Sequence, residues 1–239
     1  MKQTANTTPE TRLIKEAHRV QAMERYLTFN LDCQKELNDI VKVVSLICDT
    51  PIAFISMMGK DMQWIKAKVG VHIEQMPKTS LCIHALEMDE MMMVQDAAAD
   101  PRFANAAVVA NDPHVRFYAS ANLKSYDGYN VGTLCVFDLY PKTLNAAQQE
   151  ALIALANQVS HIMELDRALK LLKYQNSALA EIARIQSHEI RLPVSSILGV
   201  MELIRDAGSR PNAEHLELLD RSVRQLDEKI RLIVNETAI

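Results

Sequence analysis

The chain is poor in glycine and in aromatic residues. Its 239 residues hold six glycines and 5% Phe, Trp and Tyr, while 49% are hydrophobic. That mix disfavours an all-β fold and favours helices. Long apolar runs are missing too: the longest, such as Ile52–Ile55 and Met91–Val94, are far too short to span a bilayer. Met1–Glu10 is polar, with no apolar stretch of the signal-peptide kind. The expected compartment is therefore the cytoplasm, with no membrane partner. Neither charge sign dominates. The net charge of −4, with Lys and Arg spread among acids, argues against a nucleic-acid partner. The four cysteines (Cys33, Cys48, Cys82, Cys135) are scattered without CxxC spacing, so reduced and mostly buried thiols are expected rather than disulfides or a zinc site.

What is present divides the chain by texture. Two helical stretches are expected near Glu10–Leu27 and Asp32–Cys48, the second with Leu37, Ile40, Val41, Val44 and Ile47 at helical spacing. From Pro51 the pattern changes to strands. Pro51–Met58 and Met62–Val69 flank Gly59-Lys60-Asp61 and read as a hairpin. Ser80–Leu86 reads as a short helix with Thr79 or Ser80 as N-cap. Met91–Gln95 reads as a strand, and Asp100-Pro101 starts a turn or a short helix. Val115–Leu123 and Asn130–Leu139 are strands joined across Asp127-Gly128, a strong hairpin signal. The expected fold class is α+β, with a mostly antiparallel sheet.

Beyond Leu144 strand signals cease. Leu152, Leu155, Val159, Ile162, Leu165, Leu169, Leu172, Leu179 and Ala183 step mostly by three and four, as in a coiled coil. Asn176 falls in that seam, either fixing its register or lying on the helix surface. Gly208, Pro211 and Asn212 break the helix, and Leu216, Leu219, Val223, Leu226, Ile230 and Ile233 mark a second one. Together they predict an antiparallel hairpin whose apolar face is best buried by a second copy, giving a four-helix bundle in a homodimer.

The segment most informative about chemistry is Ser187-His188-Glu189-Ile190-Arg191-Leu192-Pro193. The seam runs through Ala183, Gln186, Ile190, Val194, Ile197, Met201 and Ile204. His188 lies about 200° from its neighbours in that seam and so points to solvent. A neutral imidazole there can offer a ring nitrogen to a phosphoryl group. Glu189 can hold the proton on the other nitrogen. Pro193 should loosen the helix just beyond. From spacing alone, an ordinary exposed histidine is the favoured reading. HExxH zinc binding is excluded because position 192 is Leu.

His188-Glu189-Ile190-Arg191-Leu192-Pro193, followed by Val194-Ser195-Ser196-Ile197-Leu198-Gly199, resembles the H-box of sensor histidine kinases. Arg221–Leu226 is similar to the second helix of that HisKA-type dimerisation and phosphoacceptor domain. The resemblance covers about 179–237. It implies that His188 is the phosphoacceptor, that Glu189 assists it, and that Arg191 and Pro193 are structural or domain-contacting. It also implies a response-regulator receiver domain as partner. Leu192 departs from the Thr or Asn often found there, which puts a phosphatase role in doubt. None of the six glycines forms a phosphate-cradling loop, so ATP with Mg is expected only through a separate catalytic domain, in cis or in trans. Whether the chain is itself an enzyme stays open.

Residues 20–165 resemble a GAF domain through Ser80–Leu86, Asp96–Phe103, His114–Ala119 and Gly128–Val136. The resemblance implies an antiparallel sheet flanked by helices and a sensory role. Cys82, His84, Asp96, Arg116 and Tyr118 are candidates to line a ligand pocket. The favoured alternative is that Cys82 and His84 pack the fold and Asp96 caps a turn, while Arg116 pairs equally well with Asp96 or Asp112. A covalent bilin is disfavoured because Ile83 separates Cys82 from His84, and no other cofactor is expected. Met88–Met93 reads as packing rather than metal binding. The expected organisation is 1–19 as a polar segment and helix start, 20–165 as the sensor domain, 166–178 as a coiled-coil signalling helix and 179–239 as the phosphoacceptor hairpin.

Overall fold

The computed structural model describes residues 9–27, 33–206 and 212–237. Two helices open the chain, α1 (Pro9–Leu27) and α2 (Gln34–Cys48). The sheet follows with its insertions: β1 (Ile52–Met58), β2 (Met62–Val69), β3 (Gln75–Pro77), α3 (Ser80–Glu87), β4 (Met91–Val94), α4 (Ala107–Ala110), β5 (Phe117–Lys124) and β6 (Asn130–Asp138). Two long helices end it, α5 (Ala146–Asp206) and α6 (Ala213–Thr237). Asp100-Pro101 lies in a turn. The chain forms two compact units, divided between Lys170 and Leu171. No helix among the described residues is long and apolar enough to cross a membrane.

In the first unit six strands form one antiparallel sheet in the order β3-β2-β1-β6-β5-β4. The two hairpins expected from sequence are thus joined edge to edge by the pairing of β1 with β6. Side-chain alternation separates the faces. Ala53, Ile55, Met57, Phe117, Ala119, Ala121, Leu134 and Val136 meet the apolar stripes of α1, α2 and α5, including Leu37, Val41, Val44, Leu152, Ala156 and Val159. The other face carries Phe54, Met92, Val94, Tyr118, Cys135 and Phe137 beneath Leu81 and Ala85 of α3. Gly132 permits the close approach of β6 to β1, since a Cβ there would lie 2.2 Å from the Ser56 carbonyl oxygen. β3 has no counterpart in the sequence reading. It is only three residues long and ends on Pro77, and its pairing with Met62–Trp64 is set by tertiary contact.

Helix starts follow local chemistry. Asn145 Oδ1 accepts from the Gln148 N–H at 2.9 Å, and Gln148 Oε1 accepts from the Asn145 N–H at 3.0 Å, a reciprocal cap that starts α5. Asn212 Oδ1 accepts from the His215 N–H at 2.8 Å and starts α6. In the second unit α5 and α6 are antiparallel, and Glu189 meets Lys229 at 2.9 Å. Pro193, Val200 and Ser222 are buried, and Ile190, Val194, Ile197, Leu219 and Leu226 are partly so. Helix α5 continues through Pro193, although the proline ring removes one backbone donor.

Candidate functional site

The sheet face under α3 has an unusual floor. Cross-strand pairing aligns Ser56, Thr133 and Asn122 in one row, and Phe54, Cys135, Ser120 and Met92 in the next. Tyr118 lies two residues along β5 from Ser120, and Gln63 of β2 stands opposite Met58. Ser56, Gln63, Ser120, Asn122 and Thr133 are all buried. Ser56 and Thr133 bond to each other, Oγ to Oγ1, at 3.2 Å. The Gln63 amide, the Ser120 hydroxyl, the Tyr118 hydroxyl and Asn122 Oδ1 lack a hydrogen bond of good geometry, although Gln63 lies beside Cys82 and Ser120 beside Tyr118. Buried polar atoms are nearly always paired in folded proteins, so this many in one layer mark a place where hydrogen-bonding capacity is held in reserve.

Helix α3 roofs that floor and is fixed at both ends. Thr79 Oγ1 accepts from the Cys82 N–H at 3.4 Å. At the other end Asn122 Nδ2 donates to the carbonyls of Ala85 (3.0 Å) and Met88 (2.8 Å). Asn130 Nδ2 donates to those of Leu86 (2.9 Å) and Met88 (3.2 Å). The sheet thereby supplies donors for helix-end carbonyls that would otherwise lack them.

The five sequence candidates do not share one cavity. Tyr118 belongs to the floor, and Cys82 is buried in the α3 roof above it. Burial pushes the Cys82 thiol and the Tyr118 phenol upward, and the neighbouring Cys82 and Cys135 reinforce the shift of the phenol. His84 packs edge-on against Phe103, with ring centroids 5.1 Å apart. Asp96 and Arg116 form a two-pronged pair at 2.7 and 2.6 Å. That pair decides between Asp96 and Asp112, and it holds the Asp96 carboxyl below its ordinary range. Asp96 Oδ1 also accepts from the Ala98 N–H at 3.2 Å, as a turn cap does. Sequence reading missed Gln63, Ser120 and Asn122. The period-two alternation of their strands was the available signal, but neighbouring strand order was needed to bring them together.

In the second unit His188 is exposed on α5 and has no hydrogen-bond partner among the described residues. Glu189 is engaged by Lys229, whose ammonium it holds more strongly protonated. Arg191 and Leu192 are exposed, and Pro193 is buried in the hairpin. Seam residue Gln186 has a side chain outside the described residues.

Residues 32–163 match the model of the GAF domain. The chain belongs to the GAF domain family. GAF domains are typical of signalling sensors. The chain is also similar to a cyclic di-GMP phosphodiesterase of Pseudomonas aeruginosa, 36% identical over 116 residues. That match covers 48% of this chain and 20% of the relative, so the chain spans about a fifth of its length. Among solved structures, a bacteriophytochrome of R. palustris superposes with a TM-score of 0.52 at 11% identity, covering 78% of this chain and 43% of that one. The GAF domain of an Acinetobacter phosphoenolpyruvate-protein phosphotransferase gives 0.49 at 16% identity, covering 67% and 97%. At 11% identity the likeness to the bacteriophytochrome is one of fold.

The GAF domain is clasped to α5 near its end. Tyr26 donates to Glu164, which also accepts from the Tyr126 N–H at 3.0 Å and from Arg167 at 2.9 Å. The Tyr126 ring, in the β5–β6 turn, lies 5.3 Å from both the Arg25 and the Arg167 guanidinium carbons. Burial raises the Glu164 carboxyl, but these donors outweigh it and hold the group low. The turn between two floor strands is therefore tied to the segment of α5 that precedes the second unit.

All four thiols of the GAF domain are buried, and burial pushes Cys48 up to about 11. Two pK units correspond to about 100-fold less thiolate at neutral pH. Labelling of Cys48 by a thiol-specific disulfide reagent should therefore be at least about 100-fold slower in the native protein than in guanidinium. Rapid native labelling of all four would contradict this burial.

Proposed function

We propose that this chain couples a GAF sensor to a dimeric phosphoacceptor hairpin in a cytoplasmic two-component system. The observation that carries the reading is His188, solvent-facing and without a partner among the described residues, on a helix that its own α6 covers only on the opposite side. A ring nitrogen of neutral His188 attacks the γ-phosphorus of ATP, supplied with Mg by a catalytic domain in cis or in trans. The N–P bond forms as the bond to the ADP oxygen breaks. Glu189 favours this by holding the proton on the second nitrogen, a role it takes by turning from Lys229. A response-regulator aspartate then accepts the phosphoryl group, and the N–P bond breaks. Most of the catalysis in such transfers is positioning and charge stabilisation, and that machinery belongs mainly to the catalytic domain.

The dimer has support of its own. Leu198 and Met201 on α5, and Leu216, Val223 and Ile230 on α6, are 45–59% exposed. At about 100° per residue each set flanks its helix's buried face. Antiparallel helices reverse the sense of rotation, so both flanks fall on the same side of the hairpin. A second copy is the natural cover for such a stripe, and it completes four helices.

The sensing input is assigned to the floor beneath α3, where unfilled polar atoms await a small hydrogen-bonding ligand or water. The β5–β6 turn and its Glu164 clasp lead from there to α5.

The test is phosphorylation in trans. Incubated with a histidine-kinase catalytic domain, ATP and Mg, the chain should take up acid-labile, base-stable phosphate, and His188→Gln should lose it. Absence of label on the wild type, or equal label on the variant, would reject the phosphoacceptor and leave a dimeric scaffold.

A further inference from the structure

A second site lies in the GAF unit on the side of the sheet away from α3. β2 contains one residue more than β1 opposite it: Ser56 pairs with Ile65 and Ile55 with Ala67, so Lys66 is the extra residue of a bulge. Bulges turn a side chain out of the regular alternation. Beyond Ile65 the strand has also lost β3, whose pairing ends with the Ile65 N–H donating to the Glu74 carbonyl at 2.8 Å. The result is a groove of about 650 Å³ between α2 and the open edge of β2, lined by Gln34, Asn38, Lys42, Lys66, Lys68 and Glu74, among others.

The polar groups of this groove are sorted by sign. Glu74 is taken by Lys68, which also donates to the Ile73 carbonyl at 2.9 Å. Lys42 is held by Asp39 at 3.3 Å. Gln34 Nε2 donates to the Lys66 carbonyl at 2.6 Å and to Asn38 Oδ1 at 3.2 Å. With its oxygen engaged, the Asn38 amide presents its NH2 to the groove. Lys66 is half-buried, and its ammonium has no acid or carbonyl partner among the described residues. Burial alone acts on it, lowering its proton affinity. What remains unfilled is therefore donors: one desolvated cation and one amide, with every lining carboxylate already paired.

We propose that the groove between α2 and β2 binds a small oxyanion, a carboxylate or a phosphate monoester, whose charge is met by Lys66 and whose second oxygen is met by the Asn38 amide. A half-buried ammonium gains more from an anion than an exposed one does, because less water competes for it. The site is separate from the floor under α3 and does not depend on the phosphoacceptor reading.

The test is anion-specific protection of Lys66 in the full chain. Acetylation by an activated ester would be timed by peptide mass spectrometry in chloride, inorganic phosphate and succinate at equal ionic strength. The expected result is at least threefold slower modification of Lys66 in phosphate or succinate, with exposed Lys60 unchanged. Whichever salt protects assigns the ligand as phosphate-like or carboxylate-like. Thermal stabilisation by that salt should also disappear in Lys66→Gln and weaken in Asn38→Leu. Equal slowing at Lys60, no slowing at Lys66, or undiminished stabilisation of Lys66→Gln would overturn the proposal.

Discussion

Gly132→Ala should unfold the sensor domain at markedly lower denaturant than the wild type. The added Cβ would fall 2.2 Å from the Ser56 carbonyl oxygen and 3.3 Å from the Met57 Cα, both backbone atoms of β1. No side-chain rotation relieves that clash. β1 must move from β6 at the centre of the sheet, where Ser56 and Thr133 meet. Overpacking costs up to about 3 kcal/mol, and separation of central strands adds to it. Trp64, the single tryptophan, pairs with Met57 across β1–β2, so its fluorescence reports this transition directly. The control is Gly199→Ala, in the α5 interior with nothing within 4 Å of the new Cβ. There alanine should stabilise the helix by up to about 1 kcal/mol. Equal midpoints for wild type and Gly132→Ala would show that the two strands are not so closely apposed.

The second large effect is expected at the exposed stripe of the hairpin. Met201→Glu combined with Val223→Glu should turn a dimer into a monomer by light scattering, with helical circular dichroism retained. Both positions are more than half exposed in the single chain, so the hairpin itself tolerates a carboxylate. In a four-helix bundle the same carboxylates would be buried without partners, at a cost of several kcal/mol. About 3 kcal/mol already corresponds to a ~100-fold weaker Kd. Gln225→Glu, an exposed polar position on the other flank of α6, should leave the dimer intact. A double variant that stays dimeric would move the interface elsewhere. A wild-type monomer would remove the bundle altogether.

These two experiments probe different levels of information. The hairpin stripe follows from helical spacing read along the chain. The Gly132 contact does not, because β1 and β6 are separated by more than seventy residues and their pairing closes the sheet. Loss of loop entropy opposes such long-range pairing, and only the combined burial of both sheet faces decides it. No local pattern near Gly132 carries that information.

The same division runs through the candidate sites. A cap of α3 at Thr79 or Ser80, the Asp127-Gly128 hairpin turn and the exposure of His188 are local consequences of side-chain chemistry and helical phase. They were legible without a fold. The choice of Asp96 over Asp112 for Arg116 was not, because Asp112 is the nearer in sequence and only the approach of the β4–α4 loop to the start of β5 selects Asp96. The floor under α3 needed still more: strand parity turns Tyr118, Ser120 and Asn122 to one side, and strand order sets Thr133, Ser56 and Gln63 beside them. By itself, then, the sequence determined the helices other than α4, the two hairpins, the helical phase of His188 and the GAF resemblance, since each rests on neighbours within a few turns or residues. Tertiary structure alone decided the sheet order, the β3 edge, the reserve of unfilled polar atoms and the Lys66 groove. Each of those depends on backbone segments that meet only when the apolar faces are buried.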